Sequence, residues 1–467
     1  MPATAAKIES LLKTLLTAGA DGPKLTLRQY LDAIPRLSTL NDVPSGTPVL
    51  VRGDVDAKPG KAIGEGDERL RSMVETLKFG QAKGWKQIIF GHIGRKPEGS
   101  LDKVAVRIGE LLGTEATLIA DWYDPATNTI LPAVKTAIDA AKPGAIIVLE
   151  NTRKYDIERV LWKAQPEDAA KLAPQLTQFA NECAAKIAKV YVNEALSAGS
   201  LDTSTVVVPA AMDRVALGTY VAGEFDGPMM QCLASEVVVF SGLKIDKLDD
   251  LQAMIDRGTI KWVFAAGSLA MALRKADGQL SGKPVAIGAA EDPAHGDKPY
   301  YIPDERVEQA KKMLNEGRAK GITFVLPVDS ILEDGRAVDV IGPGEQQFDI
   351  GPKTSELFEA KVGEFLEKNK SRLGGVNAPV VFHNGVFGMF EDPRFEAGTK
   401  KFVSQLKRLK EAGAGLHRRR RRGQIVGEVR PTRLGDAHVH RRRHGAEREL
   451  GSNPVPYLQT LKSAAGK

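Results

Sequence analysis

An alternation of short apolar runs with longer helical patterns, from about residue 47 onward, most constrains the fold of this chain. Stretches such as DERVEQAKKMLNEGRAKG have apolar residues at spacings of three and four, which is typical of amphipathic helices. Strands that alternate with helices indicate βαβ units and parallel sheets, so we predict an α/β protein. The predicted strands are TPVLVRGD, KQIIFGH, ATLIAD, GAIIVLEN and KVYVNEA in the first half, and SEVVVFSG, KWVFAAG, PVAIGA, TFVLPVD and APVVFHNG in the second.

The two halves have similar α/β patterns, and 467 residues exceed what one core usually serves. The run GEFDGPMMQ, at residues 223–231, reads as a connector between them. We predict two parallel-sheet α/β domains, at residues 1–225 and 226–450, with a helical accessory layer in residues 1–40 and a C-terminal tail of residues 451–467.

Composition narrows the class of protein. No run of 18 apolar residues offers a membrane span, and the N-terminus lacks the continuous apolar region of a secretory signal. Cys183 and Cys232 are too few for a disulfide framework or a cysteine-built metal site. We therefore expect a cytoplasmic protein.

The net charge of +6 belongs to one segment, residues 416–450, which holds 11 Arg and 4 acidic residues. The rest of the chain carries 54 Lys and Arg against 55 Asp and Glu, so the body is nearly neutral. The positive charge of the whole chain is therefore no guide to the ligand of the α/β body.

Polar residues follow four predicted strands of the first half: Asp54, His92, Asn151 and Glu194. Ligands of open parallel sheets bind outside the carboxyl ends of the strands, so these residues are candidates for a binding site. Any one of them taken alone is better explained as a loop cap or turn residue. The second-half strands end at Gly242, Gly267, Asp329 and Asn384, and the glycines would let a ligand approach backbone amides.

Basic residues recur beside the same strand ends of the first half. Arginine suits a bidentate grip on phosphate or carboxylate, so a small polyanion is the natural ligand. A solvated helix face would explain one of these residues, but not their repetition past consecutive strands. They are Arg52, Arg69, Arg71, His92, Arg95 and Arg153.

Eight motifs follow one another between residues 45 and 412: VLVRGDVDAKPG, GEGDERLR, GHIGRKP, LENTRKY, FSGLKIDK, VLPVD, DIGPKT and FHNGVFGMFE. In this order they resemble motifs of the phosphoglycerate kinase family. The first four are similar to the family's RVDFNVP, DDTRIR, SHLGRP and ENLRF. FSGLKIDK resembles GGAKVSDK, FHNGVFGMFE resembles WNGPMGVFE, and VLPVD and DIGPKT match outright.

The resemblance implies a monomeric glycolytic enzyme of two Rossmann-like parallel-sheet domains joined by a hinge, which acts on small-molecule substrates. It also implies that residues 451–467 return toward the N-terminal domain. Such an enzyme moves a phosphoryl group between 1,3-bisphosphoglycerate and ADP, with Mg²⁺ accompanying the nucleotide. It implies catalytic roles for Arg69 and Lys244. The implied triose-binding residues are Asp54, Asp56, Arg69, His92, Arg95 and Arg153, and the implied nucleotide-binding residues are Gly242, Lys244, Lys247, Asn384 and Glu391.

Several departures from the family pattern concern activity. Asp56 stands where the family has Asn, and Ser200 and Leu201 stand where it has His-Arg. The second lysine of GGAKVSDK aligns with Lys247 or with Leu248, depending on a one-residue gap. Two interpretations stay open: a divergent working kinase, and a family member with reduced or altered activity.

The arginine-rich segment occupies the place of two glycine loops of the family, GGGDT and STGGGAS, whose backbone amides and Asp hold nucleotide phosphates and magnesium. It contains two arginine runs, HRRRRRG and HRRRHG. Their first arginines, Arg418 and Arg441, are 23 residues apart. If His-Arg-Arg-Arg is encoded CAC-CGG-CGG-CGG, reading one base later gives Thr-Gly-Gly-Gly.

We therefore hypothesise a compensated pair of frameshifts, entering near Leu416 and leaving near Leu450, and expect this segment to be poorly packed as written. The metal-binding Asp of the family is absent from it, so we assign no metal ligand. The competing hypothesis is a basic arm that binds nucleic acid, but the segment has no aromatic residue for base stacking and lies inside a predicted domain. We do not expect nucleic-acid binding.

Overall fold

The computed structural model describes residues 2–17, 31–230, 234–242, 247–419 and 456–466. The chain forms two compact units, one of residues 1–226 with 439–467 and the other of residues 227–438.

The first unit is built on a six-stranded sheet in which every neighbouring pair is parallel. The strand order is β3-β6-β2-β1-β7-β8, and a two-stranded hairpin of β4 and β5 lies apart from it. The central strands are buried on both faces, which is why they read as continuous apolar runs such as IIVL. The strands are β1 Pro48–Gly53, β2 Lys86–Phe90, β3 Ala116–Ile119, β4 Tyr123–Asp124, β5 Thr129–Ile130, β6 Ile146–Leu149, β7 Val190–Glu194 and β8 Arg214–Leu217.

Helices of the first unit bury apolar faces in two clusters. One cluster joins strand residues such as Val51, Ile89 and Val148 to Leu70 and Leu77. In the other, Ile8 and neighbouring residues of the N-terminal helix meet the long helix after β6. The described helices of this unit are Ala5–Leu16, Glu68–Ser72, Val74–Ala82, Asp102–Leu112, Pro132–Ala140, Ala169–Lys186, Thr203–Val206, Thr219–Glu224 and Pro456–Ala465.

The C-terminal helix Pro456–Ala465 belongs to the first unit. The hydroxyl of Thr460 donates a hydrogen bond to the carbonyl oxygen of Val206 at 2.9 Å. The ring of Tyr457 meets that of Phe225 edge to face, with centroids 6.2 Å apart. A helix near the C-terminus of the sequence therefore packs onto the unit that contains the N-terminal half.

The second unit has a five-stranded parallel sheet of order β11-β10-β9-β15-β16 and an antiparallel three-stranded sheet of order β13-β12-β14. Its core joins strand residues such as Val239 and Phe264 to Phe358 and Phe402 of two helices. The strands are β9 Val237–Phe240, β10 Trp262–Ala265, β11 Thr323–Val325, β12 Ser330–Leu332, β13 Ala337–Val338, β14 Gln347–Ile350, β15 Val380–Asn384 and β16 Gly415–Arg419. The described helices are Lys247–Asp256, Gly267–Leu280, Asp304–Ala319, Pro352–Lys368 and Ala397–Glu411.

The predicted α/β class with parallel sheets is confirmed, and nine of the ten predicted strands are present. The prediction of a strand at PVAIGA, residues 284–289, is wrong. This segment begins with Pro284, which lacks a backbone donor, and makes one isolated bridge from Ile287 to Ile341 before a 3-10 turn begins at Gly288.

The start of the arginine-rich segment forms a strand of the five-stranded sheet. Residues Gly415–Arg419 form β16, which pairs in parallel with β15, and Leu416 packs against the second core. The expectation of poor packing is therefore wrong for Leu416 and for the backbone as far as Arg419. Residues 420–450 lie outside the described residues.

Among the described ranges, no helix is long and apolar enough to cross a membrane.

Candidate active site

The carboxyl ends of β1, β2, β6 and β7 meet at one edge of the first sheet, because all four strands are parallel neighbours. We call it the first carboxyl edge. The predicted triose-binding residues lie in the loops and helices that follow these strands. They form two clusters.

The first cluster, which we call the Asp54 cluster, consists of Asp54, Asp56, Arg69 and Ser197. Nη1 of Arg69 donates to Oδ1 of Asp54 at 2.9 Å and lies 3.5 Å from Oδ2 of Asp56. The hydroxyl of Ser197 donates to the same Oδ1 at 2.9 Å. Arg69 is buried on the short helix Glu68–Ser72, so its guanidinium is held in place on the carboxylates.

The second cluster, which we call the Asp202 cluster, consists of Arg52, His92, Arg153 and Asp202, all buried. Nη2 of Arg153 donates to both carboxylate oxygens of Asp202, at 3.0 and 3.2 Å. Nδ1 of His92 lies 3.3 Å from Oδ2 of Asp202, and Nη2 of Arg52 lies 3.8 Å from it. Two predicted site residues, His92 and Arg153, are thus brought together around an acid that sequence reasoning missed.

Charge explains the ionisation of Asp202. Burial alone raises the pKa of this carboxyl, but electrostatic interactions with His92, Arg153 and Arg52 lower it to about 2. The carboxylate is therefore anionic across the physiological range, and it neutralises much of the positive charge that the sequence had predicted for this edge.

Glu158 lies next to the Asp202 cluster, and its pKa is shifted upward, in the opposite direction to that of Asp202. Burial first, and then the charge of Asp202, raise the pKa of Glu158 to about 7, while Arg52 and hydrogen bonds from Ser204 lower it. Ligand atoms of His92, Glu158 and Asp202 lie within 4.8 Å of one another, a spacing that would suit a metal ion. Two guanidinium groups already supply positive charge to this acidic group, and we assign it to an ion-pair network.

The loop GHIGRKP joins the two clusters at Gly94. Its carbonyl oxygen accepts from Nη1 of Arg153 at 2.6 Å, and its N–H donates to Oδ1 of Asp56 at 3.0 Å. Arg95, the next residue, is exposed and makes no side-chain hydrogen bond or ion pair with the described part of the chain. The loop therefore presents the Arg95 side chain to solvent beside both clusters.

Two other strand-end residues have local structural roles. Oδ1 of Asn151 accepts from the backbone N–H of Arg153 at 3.1 Å, which makes it a turn cap. The buried carboxyl of Glu194 accepts from the hydroxyl of Thr76 at 2.8 Å and from the N–H of Tyr220 at 3.0 Å. For these two residues the loop-cap interpretation fits the contacts.

Replacing Glu194 with Gln should flatten the pH dependence of stability. Burial raises the pKa of Glu194 to about 7, above its usual 4.5, so the folded chain keeps a proton that the unfolded chain releases. The free energy of unfolding should therefore fall as pH rises from 4.5 to 7, by on the order of 2–3 kcal/mol from this group. Urea denaturation between pH 4.5 and 8 should show a smaller fall for Glu194→Gln than for the wild type, whereas exposed Glu115→Gln should leave the fall unchanged. Identical pH dependences for the wild type and Glu194→Gln would contradict this assignment.

The carboxyl ends of β9, β10 and β15 form the corresponding edge of the second sheet, with Gly242, Gly267 and Asn384 at it. The ammonium of Lys247 donates to the carbonyl oxygen of Ser241 and lies 5.4 Å from the centroid of the Phe240 ring.

The other predicted nucleotide-binding residues differ in position. Asn384 is buried at the end of β15, and Glu391 is exposed seven positions further along the chain. Lys244, predicted to be catalytic, lies outside the described residues.

Gly267 begins a helix where the backbone requires glycine. Its φ is +68°, and a Cβ there would lie 2.7 Å from the carbonyl oxygen of Gly242. Gly267→Ala should cost about 2–4 kcal/mol of stability, from the left-handed backbone and the clash together. Gly282→Ala is the matched control, with φ +70° and open space, and should cost about 1–2 kcal/mol. Equal costs in urea denaturation would show that the backbone can move away from Gly242.

The fold and the first carboxyl edge place the chain in a class of α/β proteins. Proteins of this class have two units with parallel sheets and polar residues at the strand ends. The sequence profile of the family described as Phosphoglycerate kinase matches residues 40–416. The chain belongs to this family.

Curated relatives agree with that assignment, and a solved structure has the same fold. Phosphoglycerate kinase of Clostridium beijerinckii is 28% identical over 379 residues, which cover 77% of this chain and 83% of the relative. The same-named protein of Geobacter metallireducens is 28% identical over 397 residues, covering 80% and 84%. The crystal structure of Phosphoglycerate Kinase from Pyrococcus horikoshii OT3 has a TM-score of 0.64 at 22% identity, over 93% of this chain and all of that one, and shows the fold.

Proposed function

We propose that this protein is a phosphotransferase with a carboxyl group as acceptor. It transfers a phosphoryl group between 1,3-bisphosphoglycerate and ADP, giving 3-phosphoglycerate and ATP in glycolysis. The observation that carries the proposal is buried Arg69, held by Asp54 beside Asp56 at the first carboxyl edge of a member of this family.

Phosphoryl transfer needs in-line positioning and positive charge around the moving group more than covalent help from the protein. In the proposed site Arg69 supplies that charge, and Asp54 orients the hydroxyl or carboxylate of the glycerate. Exposed Arg95 binds the anionic end of the triose, together with His92 and Arg153 where Asp202 leaves them available.

The second unit is proposed to bind the nucleotide. Gly267 approaches Gly242 closely at the edge of the second sheet, and the ammonium of Lys247 lies beside Gly242, so a cation stands next to glycine backbone where phosphate oxygens are proposed to bind. In this proposal Gly242, Lys244 and Lys247 bind phosphates, and Asn384 and Glu391 bind the nucleoside. Mg²⁺, when bound with the nucleotide, would neutralise phosphate charge.

The residues for the metal fit less well than those for phosphate. The family's magnesium-binding Asp falls in the arginine-rich segment, where the chain as written has Arg in place of the glycine loop. The profile match ends at residue 416, where that segment begins, which supports the frameshift hypothesis. We therefore expect full activity from a chain whose residues 416–450 are read in the restored frame, here called the frame-restored chain.

A catalytically impaired family member is the second candidate. It is supported by Leu201 in place of an arginine and by the Asp202 carboxylate on Arg153. We favour the kinase because the guanidinium of Arg69 contacts the carboxylates of Asp54 and Asp56, just past the end of β1.

A coupled spectrophotometric assay tests the proposed function. The frame-restored chain should form ATP from 1,3-bisphosphoglycerate and Mg-ADP, and omission of either substrate should abolish the signal. Absence of ATP formation, although both ligands bind, would favour the impaired candidate. We also propose a cytoplasmic monomer, and light scattering at a mass near 50.4 kDa would support the oligomeric state.

A further inference from the structure

The carboxylate of Asp202 holds the donors that an anionic ligand of the first unit would need. Both of its oxygens accept from Arg153, and Oδ1 also accepts from Nε1 of Trp162 at 2.8 Å. Oδ2 accepts from the hydroxyl of Ser200 at 2.8 Å. The side chain is fully buried, so these contacts replace hydration completely.

The backbone around Asp202 fixes this orientation. Asp202 is the N-cap residue of the helix Thr203–Val206, a position where an Asp side chain usually accepts from the helix backbone. Here the side chain makes no such cap, while its carbonyl oxygen accepts from the N–H of Thr205 at 2.9 Å and of Val206 at 3.0 Å. The carboxylate is therefore directed at the guanidinium of Arg153.

The Asp202 carboxylate takes up Nη2 of Arg153 with both of its oxygens, and this is a donor that a phosphate or substrate carboxylate would need. The Arg153 guanidinium is also fixed from its face, since it lies 4.7 Å from the ring centroid of Trp162. Asp54 and Asp56 add two more acids at the same edge. An incoming anion must therefore displace Asp202 or bind beside three carboxylates.

We propose that Asp202 is a specificity-determining residue, an internal anion that occupies the Arg153 and His92 subsite and lowers the affinity of the first unit for phosphorylated three-carbon acids. This inference rests on the proposed function, because it takes the triose phosphate as the ligand of that edge. The displaced ligand is defined by its chemistry, an oxyanion that competes for Arg153.

Titration calorimetry on the full chain tests the proposal. Asp202→Asn keeps the shape and removes the charge, and should bind 3-phosphoglycerate about ten to a hundred times more tightly than the wild type, since one competing charged contact is lost. Asp139→Asn is the control, with the same change in charge at an exposed helix position. It should leave the affinity unchanged, and an unchanged affinity in Asp202→Asn would overturn the proposal.

Inorganic phosphate separates this inference from the proposed function. If Asp202→Asn binds phosphate more tightly but 3-phosphoglycerate no better, the assignment of the ligand is overturned, whatever the ATP-forming assay shows. If both ligands bind more tightly and no ATP is formed, the inference stands and the proposed catalysis fails.

A second variant keeps the proposal testable if Asp202→Asn fails to fold, because that substitution leaves Arg153 without its buried counter-charge. Trp162→Phe removes one hydrogen-bond donor to Asp202 and keeps an aromatic ring under Arg153, so the ion pair survives. It should raise the affinity for 3-phosphoglycerate about threefold. Phosphate should also raise the melting temperature of Asp202→Asn by more than that of the wild type, and equal shifts would contradict the proposal.

Discussion

The frame-restored chain is expected to bind Mg-ADP at least about a hundredfold more tightly than the chain as written. With the codons assumed above, the restored frame replaces HRRRRRG and HRRRHG with two glycine runs. If the codon after the first run is CGA followed by C, the same shift reads GAC, so an Asp follows that run. Two lost charge-assisted hydrogen bonds of about 1.5–3 kcal/mol each are enough for that factor. Titration calorimetry with Mg-ADP measures it directly.

The affinity for 3-phosphoglycerate is the internal control for this comparison. Every residue proposed to bind the triose precedes residue 203, so the two chains should bind it within about twofold of each other. Equal Mg-ADP affinities in the two chains would contradict the account of the arginine-rich segment. Confirmed codons in the present frame would remove the frameshift hypothesis itself.

Arg69→Lys is expected to lower kcat of the frame-restored chain by about a hundred- to a thousandfold. Loss of one preorganised donor to a developing charge has an effect of this size in other enzymes. Lysine keeps the charge beside Asp54 but cannot reproduce the planar guanidinium that binds two oxygens at once. The coupled ATP assay at saturating substrates gives kcat, and the melting temperature shows whether the fold is kept.

Arg71→Lys is the matched control, since it lies two positions along the same short helix. Its side chain is 46% exposed and pairs with Asp67, away from the Asp54 cluster, whereas that of Arg69 is 6% exposed. We expect kcat of Arg71→Lys to stay within about threefold of the wild type. If the two substitutions lower kcat equally, Arg69 has no special part in phosphoryl transfer.

The parallel strands were predictable because burial on both faces leaves short apolar runs with little polar interruption, as in β6. Signals were weaker for the four-residue β8 and for the two- to four-residue strands β12, β13 and β14. Runs this short carry little periodicity. PVAIGA had the composition of a strand, but a proline at its start and a single bridge left it outside the sheet.

The Asp54 cluster could be predicted in outline, because its acids follow one strand and Arg69 lies within sixteen residues of them. The contact between Arg153 and Asp202 spans 49 positions and depends on β6 and β7 ending at the same edge of the sheet. The available signal was an acid just past Leu201, in a stretch where the family pattern supplies cations. That this acid pairs with Arg153 and His92 became clear only from the ion pairs in the structure.

Transfer of label from [γ-³²P]ATP to 3-phosphoglycerate by the frame-restored chain tests the central claim most directly. The carboxylate oxygen of 3-phosphoglycerate should form a bond to the γ-phosphorus as the bond to the ADP oxygen breaks, and the label should appear in an acyl phosphate. Chromatography of the quenched mixture separates this product from ATP and inorganic phosphate. We predict labelled 1,3-bisphosphoglycerate that depends on 3-phosphoglycerate; label found only in ATP or inorganic phosphate would contradict the proposed phosphoryl transfer.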